Sequence, residues 1–278
     1  PLAETPCGMR PELAPGVRER REEEVDVILL LEGTYPYVRG GVSKWVHDLL
    51  LGMPQYRFGI VFLGATADMY GPPRYSIPSN VAFLETHYLL ETSELVPAGA
   101  RAGHRACQSA VDVFHAQLHA PAVELGEDRF RDLVSCLLRP DGISVEDFLF
   151  GRTSWAYICR RYEESAGDQD FVGFFWTVRS MHNAVFKLAK IARRLPQARL
   201  LHAVSTGYAG LLGSLRSMET QTPLLLSEHG IYTKERKIDL QRISLSDQSG
   251  HFHAPSDSGA DYRHGMWMRF FEGIGRLA

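Results

Sequence analysis

Three short groups of residues have the types and spacing to do chemistry. The first is Arg39-Gly40-Gly41, which follows the apolar run Val27–Leu31 and precedes Val42, Trp45, Val46, Leu49 and Leu50 at helical spacing. Adjacent glycines let the backbone approach a ligand closely. The N–H groups and positive dipole of the helix that follows suit phosphate, and Arg39 adds charge. The pattern is neither GxGxxG nor a P-loop, so no dinucleotide or ATP fingerprint is present. A tight turn that needs glycine accounts for the same residues equally well.

The second group is Ser227-Glu228-His229-Gly230, after the apolar run Leu224–Leu226, with Lys234, Glu235, Arg236 and Lys237 downstream. Its bland readings are a histidine that caps locally and a solvated charged face. The third is His202 with Ser205, Thr206, Gly207 and Tyr208, where Thr206 could serve simply as an N-cap. Each group follows a buried strand, where open α/β sheets present ligands, and their convergence matters more than any one residue. No metal site is predicted: His251 and His253 form an HxH pair without a third ligand. There is no GxSxG elbow and no carboxylate pair suited to glycoside hydrolysis.

These groups need a scaffold of buried strands and following helices. Val27–Leu31, Phe58–Leu63, Val81–Leu84, Leu200–Val204 and Leu224–Leu226 read as strands covered on both faces. Helices are predicted after Gly41, from Thr206-Gly207 to Leu215, and over Met266–Leu277. Between about 100 and 196 the chain reads as mostly helix. There Phe174, Val178, Met181, Val185, Leu188 and Ala189 lie three or four apart, and Pro196 is expected to end the run. The fold class that follows is α/β: a Rossmann-like doubly wound sheet with a helical insertion. Residues 1–24, with the run RERREEE, are predicted to be a disordered leader. Residues 25–261 form the domain, and 244–261 read as a polar loop.

Bulk composition excludes several classes. The 278 residues are 45% hydrophobic, enough for a sizeable core. A net charge of -3 offers no basic field for nucleic acid. No apolar run reaches the 18 residues of a membrane span. The four cysteines, Cys7, Cys107, Cys136 and Cys159, match no zinc or redox spacing and read as reduced thiols of a cytoplasmic protein.

The segments DVILLLEGTYPYVRGGVSKWVHDLL, IPSNVAFLE, HAVSTGYAGLLG, LLLSEHGIYTKERKIDL and MRFFEGIGRLA occur in that order over residues 25–278. Together they resemble the cytoplasmic glycosyltransferases of Pel exopolysaccharide biosynthesis, which are family-4 retaining enzymes of GT-B fold. The resemblance implies an N-terminal, acceptor-side domain that works across a cleft from a nucleotide-gripping domain. It implies hexose transfer from a UDP-sugar, UDP-glucose for the Pel enzymes, to a growing polysaccharide, with no cofactor and no divalent metal. Gly40 and Gly41 match the family's loop at the donor phosphates, and His229 its strand-end histidine on the transferred sugar. His202 matches a strand-end position lining the cleft, Lys234, Glu235 and Arg236 match the charged run after the histidine, and these four residues and Glu228 are expected to bind substrate. The family's basic phosphate clamp and paired glutamates have no counterpart here. Residues 262–278 are therefore expected to begin a helix leading to a further domain, and the chain alone is expected to be inactive.

A competing expectation is a non-catalytic glycan-binding or assembly module that docks on a membrane-bound polysaccharide synthesis complex at the inner membrane. Its contact surface would be the apolar stretch containing Trp267, Phe270 and Phe271. A sugar-nucleotide epimerase on the same scaffold is a weaker third reading.

Overall fold

The computed structural model describes residues 25–91, 112, 127–139, 143–165, 170–236 and 258–277. The predicted leader, the rest of the predicted insertion, Lys237 and residues 244–257 lie outside the described residues. Five strands form one sheet: β1 (Val25–Glu32), β2 (Phe58–Gly64), β3 (Val81–Tyr88), β4 (Ala198–Ala203) and β5 (Leu224–Leu226). All pairings are parallel and the order is β3-β2-β1-β4-β5. This is the doubly wound order, and its direction reverses between β1 and β4.

The register explains why an unbroken apolar run makes β1. Leu29 and Leu31 enter a cluster on one face with Val46 and Leu50 of α1 (Gly41–Gly52). Ile28 and Leu30 enter the larger cluster on the other face. Both alternating sets are buried, so no polar residue interrupts Val27–Leu31 before Glu32 at the strand's end. The larger cluster also holds α2 (Glu127–Leu138), α3 (Val145–Phe150), α4 (Arg152–Ser165), α5 (Phe171–Ala192) and α6 (Tyr208–Thr220). α3 starts with a capping box between Ser144 and Asp147. In α5, Asp170 caps by accepting from the N–H groups of Val172 and Gly173.

Four expectations about elements need correction. β5, read as covered on both faces, is the strand at the sheet's edge, and its Leu225 and Leu226 are exposed. β3 runs four residues beyond Leu84, because its whole length pairs with β2. α5 ends at Ala192, short of Pro196, its last turn closing through the Arg193 N–H on Ala189. The final helix, α7 (Ser258–Leu277), begins inside the stretch predicted as loop, so residues 258–261 are helical.

The packing of α7 overturns the expected contact surface. Met266, Phe270 and Ile274 recur at four-residue spacing and are buried in the main core, Phe270 completely, with Phe271 also buried and Trp267 packed against them. Phe271 meets the rings of Tyr208 and Tyr232 edge-on. Helical spacing turned these residues inward, where the sequence alone allowed either direction.

Candidate functional site

The ends of β2, β1, β4 and β5 are zipped together by backbone bonds. The Val204 N–H donates to Leu30, Ser227 to Ala203, and Gly33 to Leu63. This aligns Glu32–Thr34, Val204–Gly207 and Ser227–His229 along the carboxyl edge of the sheet, at the switch point where ligands of such sheets bind. The second and third groups singled out in the sequence therefore sit side by side, next to the root of the loop that carries the first.

The β1–α1 loop has a fixed root and an exposed tip. Gly33 takes φ 63°, a left-handed turn that favours glycine. Tyr35 is buried, and its hydroxyl bonds His47 at 3.3 Å. Burial pushes the Tyr35 phenol up to about 12, so it remains a neutral anchor. Tyr37 and Thr86 share a 2.8 Å hydroxyl bond, and the Arg74 N–H donates to Pro36. Beyond this root, Val38, Arg39, Gly40 and Gly41 are exposed.

Gly40 is the N-cap of α1, in extended backbone that any residue adopts. A Cβ at Gly40 or Gly41 would meet nothing within 4 Å. Neither a tight turn nor close packing demands glycine at these two positions, which removes the turn explanation. Their effect is to leave the first turn of α1 open to an incoming group. No side chain caps that turn and no acidic residue lies in it. The buried hydroxyls of Thr34 and Ser205, at the ends of β1 and β4, have no hydrogen-bond partner. Buried polar atoms ordinarily find one.

Trp45, on the first turns of α1, brings the two predicted histidines together. Its ring centroid lies 4.4 Å from that of His229 and 5.9 Å from that of His202, edge-on to the latter. His202 is only 6% exposed, and its Nε2 is hydrogen-bonded to the Ser227 hydroxyl at 2.9 Å. Burial, and then the neighbouring His229, lower the His202 pKa, so its ring is held neutral. His229 is exposed at the crevice. The pair thus offers a fixed neutral imidazole behind an accessible one.

Glu32 organises the opposite wall. It accepts the Tyr208 N–H at 2.7 Å through Oε2, and through Oε1 the Tyr232 hydroxyl at 3.1 Å and Arg236 Nη2 at 2.9 Å. Its side chain is 8% exposed. Burial, and then the Glu32 charge, raise the Tyr232 pKa well above the usual phenol value, so this hydroxyl stays a donor. Gly207 is required here: a Cβ would lie 2.2 Å from the Tyr232 ring and 2.5 Å from Glu32. Thr206 is not the N-cap of α6, as one reading had it. Gly207 takes that position, and the Thr206 hydroxyl donates to Glu228 at 3.1 Å.

The remaining predicted residues divide. Glu228 is exposed but tethered, since it also accepts the Tyr232 N–H at 2.9 Å. Lys234 and Glu235 are exposed on the helical turn 232–236. Arg236, expected to bind substrate, instead turns to Glu32 and lies over the rings of Tyr232 and Phe271. The charge run is therefore not one solvated face. Among the described residues no three His, Cys, Asp or Glu side chains gather as metal ligands.

Reading the sequence missed Glu32, Trp45 and Tyr232 as members of the site. Glu32 carried a signal, as the first polar residue closing a run buried on both faces. Trp45 and Tyr232 carried none beyond their helical spacing.

The family model described as a domain of unknown function, DUF3492, matches residues 25–278. No curated protein and no solved structure matches the chain.

Proposed function

The chain belongs to the DUF3492 family, a domain found in glycosyltransferase-like proteins of GT-B type, and we propose that it is the acceptor-side domain of a retaining hexosyltransferase. The reaction moves a hexose from a UDP-sugar, UDP-glucose in our reading, to a growing exopolysaccharide of the Pel kind. One observation carries the proposal. An uncapped helix N-terminus at Gly40–Gly41 opens beside Trp45, His202 and His229, at the switch point of a doubly wound sheet.

The chemistry follows from charge. As the bond from the anomeric carbon to UDP breaks, negative charge grows on the diphosphate. Preorganised N–H groups of the α1 first turn are suited to stabilise it. His229 lies where it can contact the transferred sugar, steadied by Trp45. The bond formed joins the acceptor hydroxyl oxygen to the anomeric carbon, and the hydroxyl proton leaves with the help of the departing diphosphate. A nucleotide-gripping domain supplies the other wall of the cleft.

The test is sugar transfer from UDP-glucose by the protein that carries this chain together with its nucleotide-gripping domain. His229→Ala is expected to lower transfer about 100-fold or more. Either outcome would sink the proposal: no transfer from any UDP-hexose by the parent protein, or transfer left unchanged by His229→Ala. The assembly-module reading rested on Trp267, Phe270 and Phe271 as a contact surface; Phe270 and Phe271 are buried and Trp267 is partly buried against the core.

A further inference from the structure

A cleft of about 380 Å³ opens where the loop after β5 meets α7, and the donor chemistry proposed above does not use it. Thr206 and Glu228 form the wall shared with the strand-end site, while Ile231, Tyr232, Thr233, Glu272, Gly275 and Arg276 form the rest. Glu272 and Arg276 stand four apart on α7, a spacing at which opposite charges commonly pair. Among the described residues they make no ion pair with each other, although both line the cleft. Ile231 is exposed, so the cleft offers an apolar surface among a few polar groups.

That combination has a chemical complement. A pyranose carries an apolar C–H face and a rim of hydroxyls. Carboxylates accept from hydroxyls, and a guanidinium donates to hydroxyl or ring oxygens. A concave site with an apolar wall and a few placed polar groups is what a small polar ligand requires. Two carboxylates against one guanidinium leave the cleft formally negative, which disfavours a diphosphate. The uncapped N-terminus of α1 has the opposite preference. Charge thus divides the sheet edge into an anion-favouring end and an end suited to a neutral sugar. We infer that the cleft is a subsite for a neutral hexose unit of the acceptor chain. Through Glu228 it adjoins His229, the residue following in sequence. The inference rests on the transferase reading.

The experiment is a calorimetric titration of the protein that carries this chain together with its nucleotide-gripping domain, using two glucose tetrasaccharides, one β-1,4-linked and one α-1,4-linked, alongside a separate titration with UDP. At least one tetrasaccharide is expected to bind saturably. Glu272→Gln and Arg276→Gln are each expected to weaken that binding at least about tenfold without changing UDP binding. Gly275→Leu supplies an independent variant that fills the cleft. A Cβ at Gly275 meets only Thr233, at an ordinary 3.5 Å, so the backbone there accepts a side chain. Saccharide binding unaltered in all three variants, or no saturable binding of either tetrasaccharide, would overturn the subsite. Saccharide binding that is lost in the variants while UDP fails to bind supports the subsite and counts against the transferase reading.

Discussion

Helices α1 and α6 leave the sheet from neighbouring strands, β1 and β4, yet their N-termini are finished in opposite ways. The α6 terminus is filled from within: Glu32 accepts the Tyr208 N–H, and Gly207 is pressed between that carboxylate and the Tyr232 ring. The α1 terminus is left unfilled: no side chain caps it, no acid lies in its first turn, and the space over Gly40 and Gly41 is empty. One βα unit spends its positive helix end on architecture, and its neighbour leaves that end open. Glycine marks both termini for different reasons. At Gly207 the protein's own side chains occupy the place of a Cβ, whereas at Gly40 and Gly41 the place is vacant.

The largest expected break in this contrast comes from Glu32→Ala. It removes a nearly buried carboxylate and strands the Tyr208 N–H, the Tyr232 hydroxyl and Arg236. Denaturant unfolding should report a loss of about 4 kcal/mol, reduced toward 3 because Arg236 can partly rehydrate. A loss below about 1 kcal/mol would mean that the filled terminus is not structural.

Acid offers the next largest effect and sets the conditions for the others. His182, in α5, stacks on Phe148 at 4.7 Å and donates from Nδ1 to the Val178 carbonyl. Burial lowers its pKa to about 4 from the ordinary 6.5. The folded state therefore holds this ring neutral while the unfolded chain takes up a proton. Stability is fully present above pH 6.5 and is lost as pH falls toward 4, by about 3 kcal/mol. His182→Phe should flatten that slope. Comparisons between the two helix ends are cleanest above pH 6.5, where this contribution is constant.

Gly41→Asp probes the open terminus. The aspartate meets no steric obstacle, so unfolding free energy should stay within about 0.5 kcal/mol of the parent. UDP affinity should fall about 100-fold by like-charge repulsion, as measured by calorimetry. The smallest effect is expected from Thr206→Val, which removes one exposed hydroxyl bond to Glu228 and should cost about 1 kcal/mol in unfolding.

The centre of the sheet was legible because β1 and β2 are buried on both faces, so Val27–Leu31 and Phe58–Leu63 stand out as unbroken apolar runs. The strand ends were legible for the same reason: polarity returns abruptly at Glu32, Ser205 and Ser227. What each polar residue does there was not legible. Arg236 and Glu32 are separated by two hundred residues of chain, and only the folded register brings their charges together. Trp45 reads as one more apolar position in α1, since helical spacing does not distinguish a core ring from one lying against two histidines. Phe270 and Phe271 failed in the other direction, because an apolar helix face does not announce whether it is covered by its own domain or by a partner.

The central claim is that the α1 terminus, and not the α6 terminus, receives the donor's diphosphate. Its most direct test is a titration of UDP-glucose into the isotopically labelled protein, followed by amide NMR. The account predicts saturable shifts centred on Gly40, Gly41, Val42 and Ser43, with the amide of Tyr208 unmoved. Shifts centred on Tyr208 and its successors, or none at Gly40–Ser43 at saturation, would contradict it.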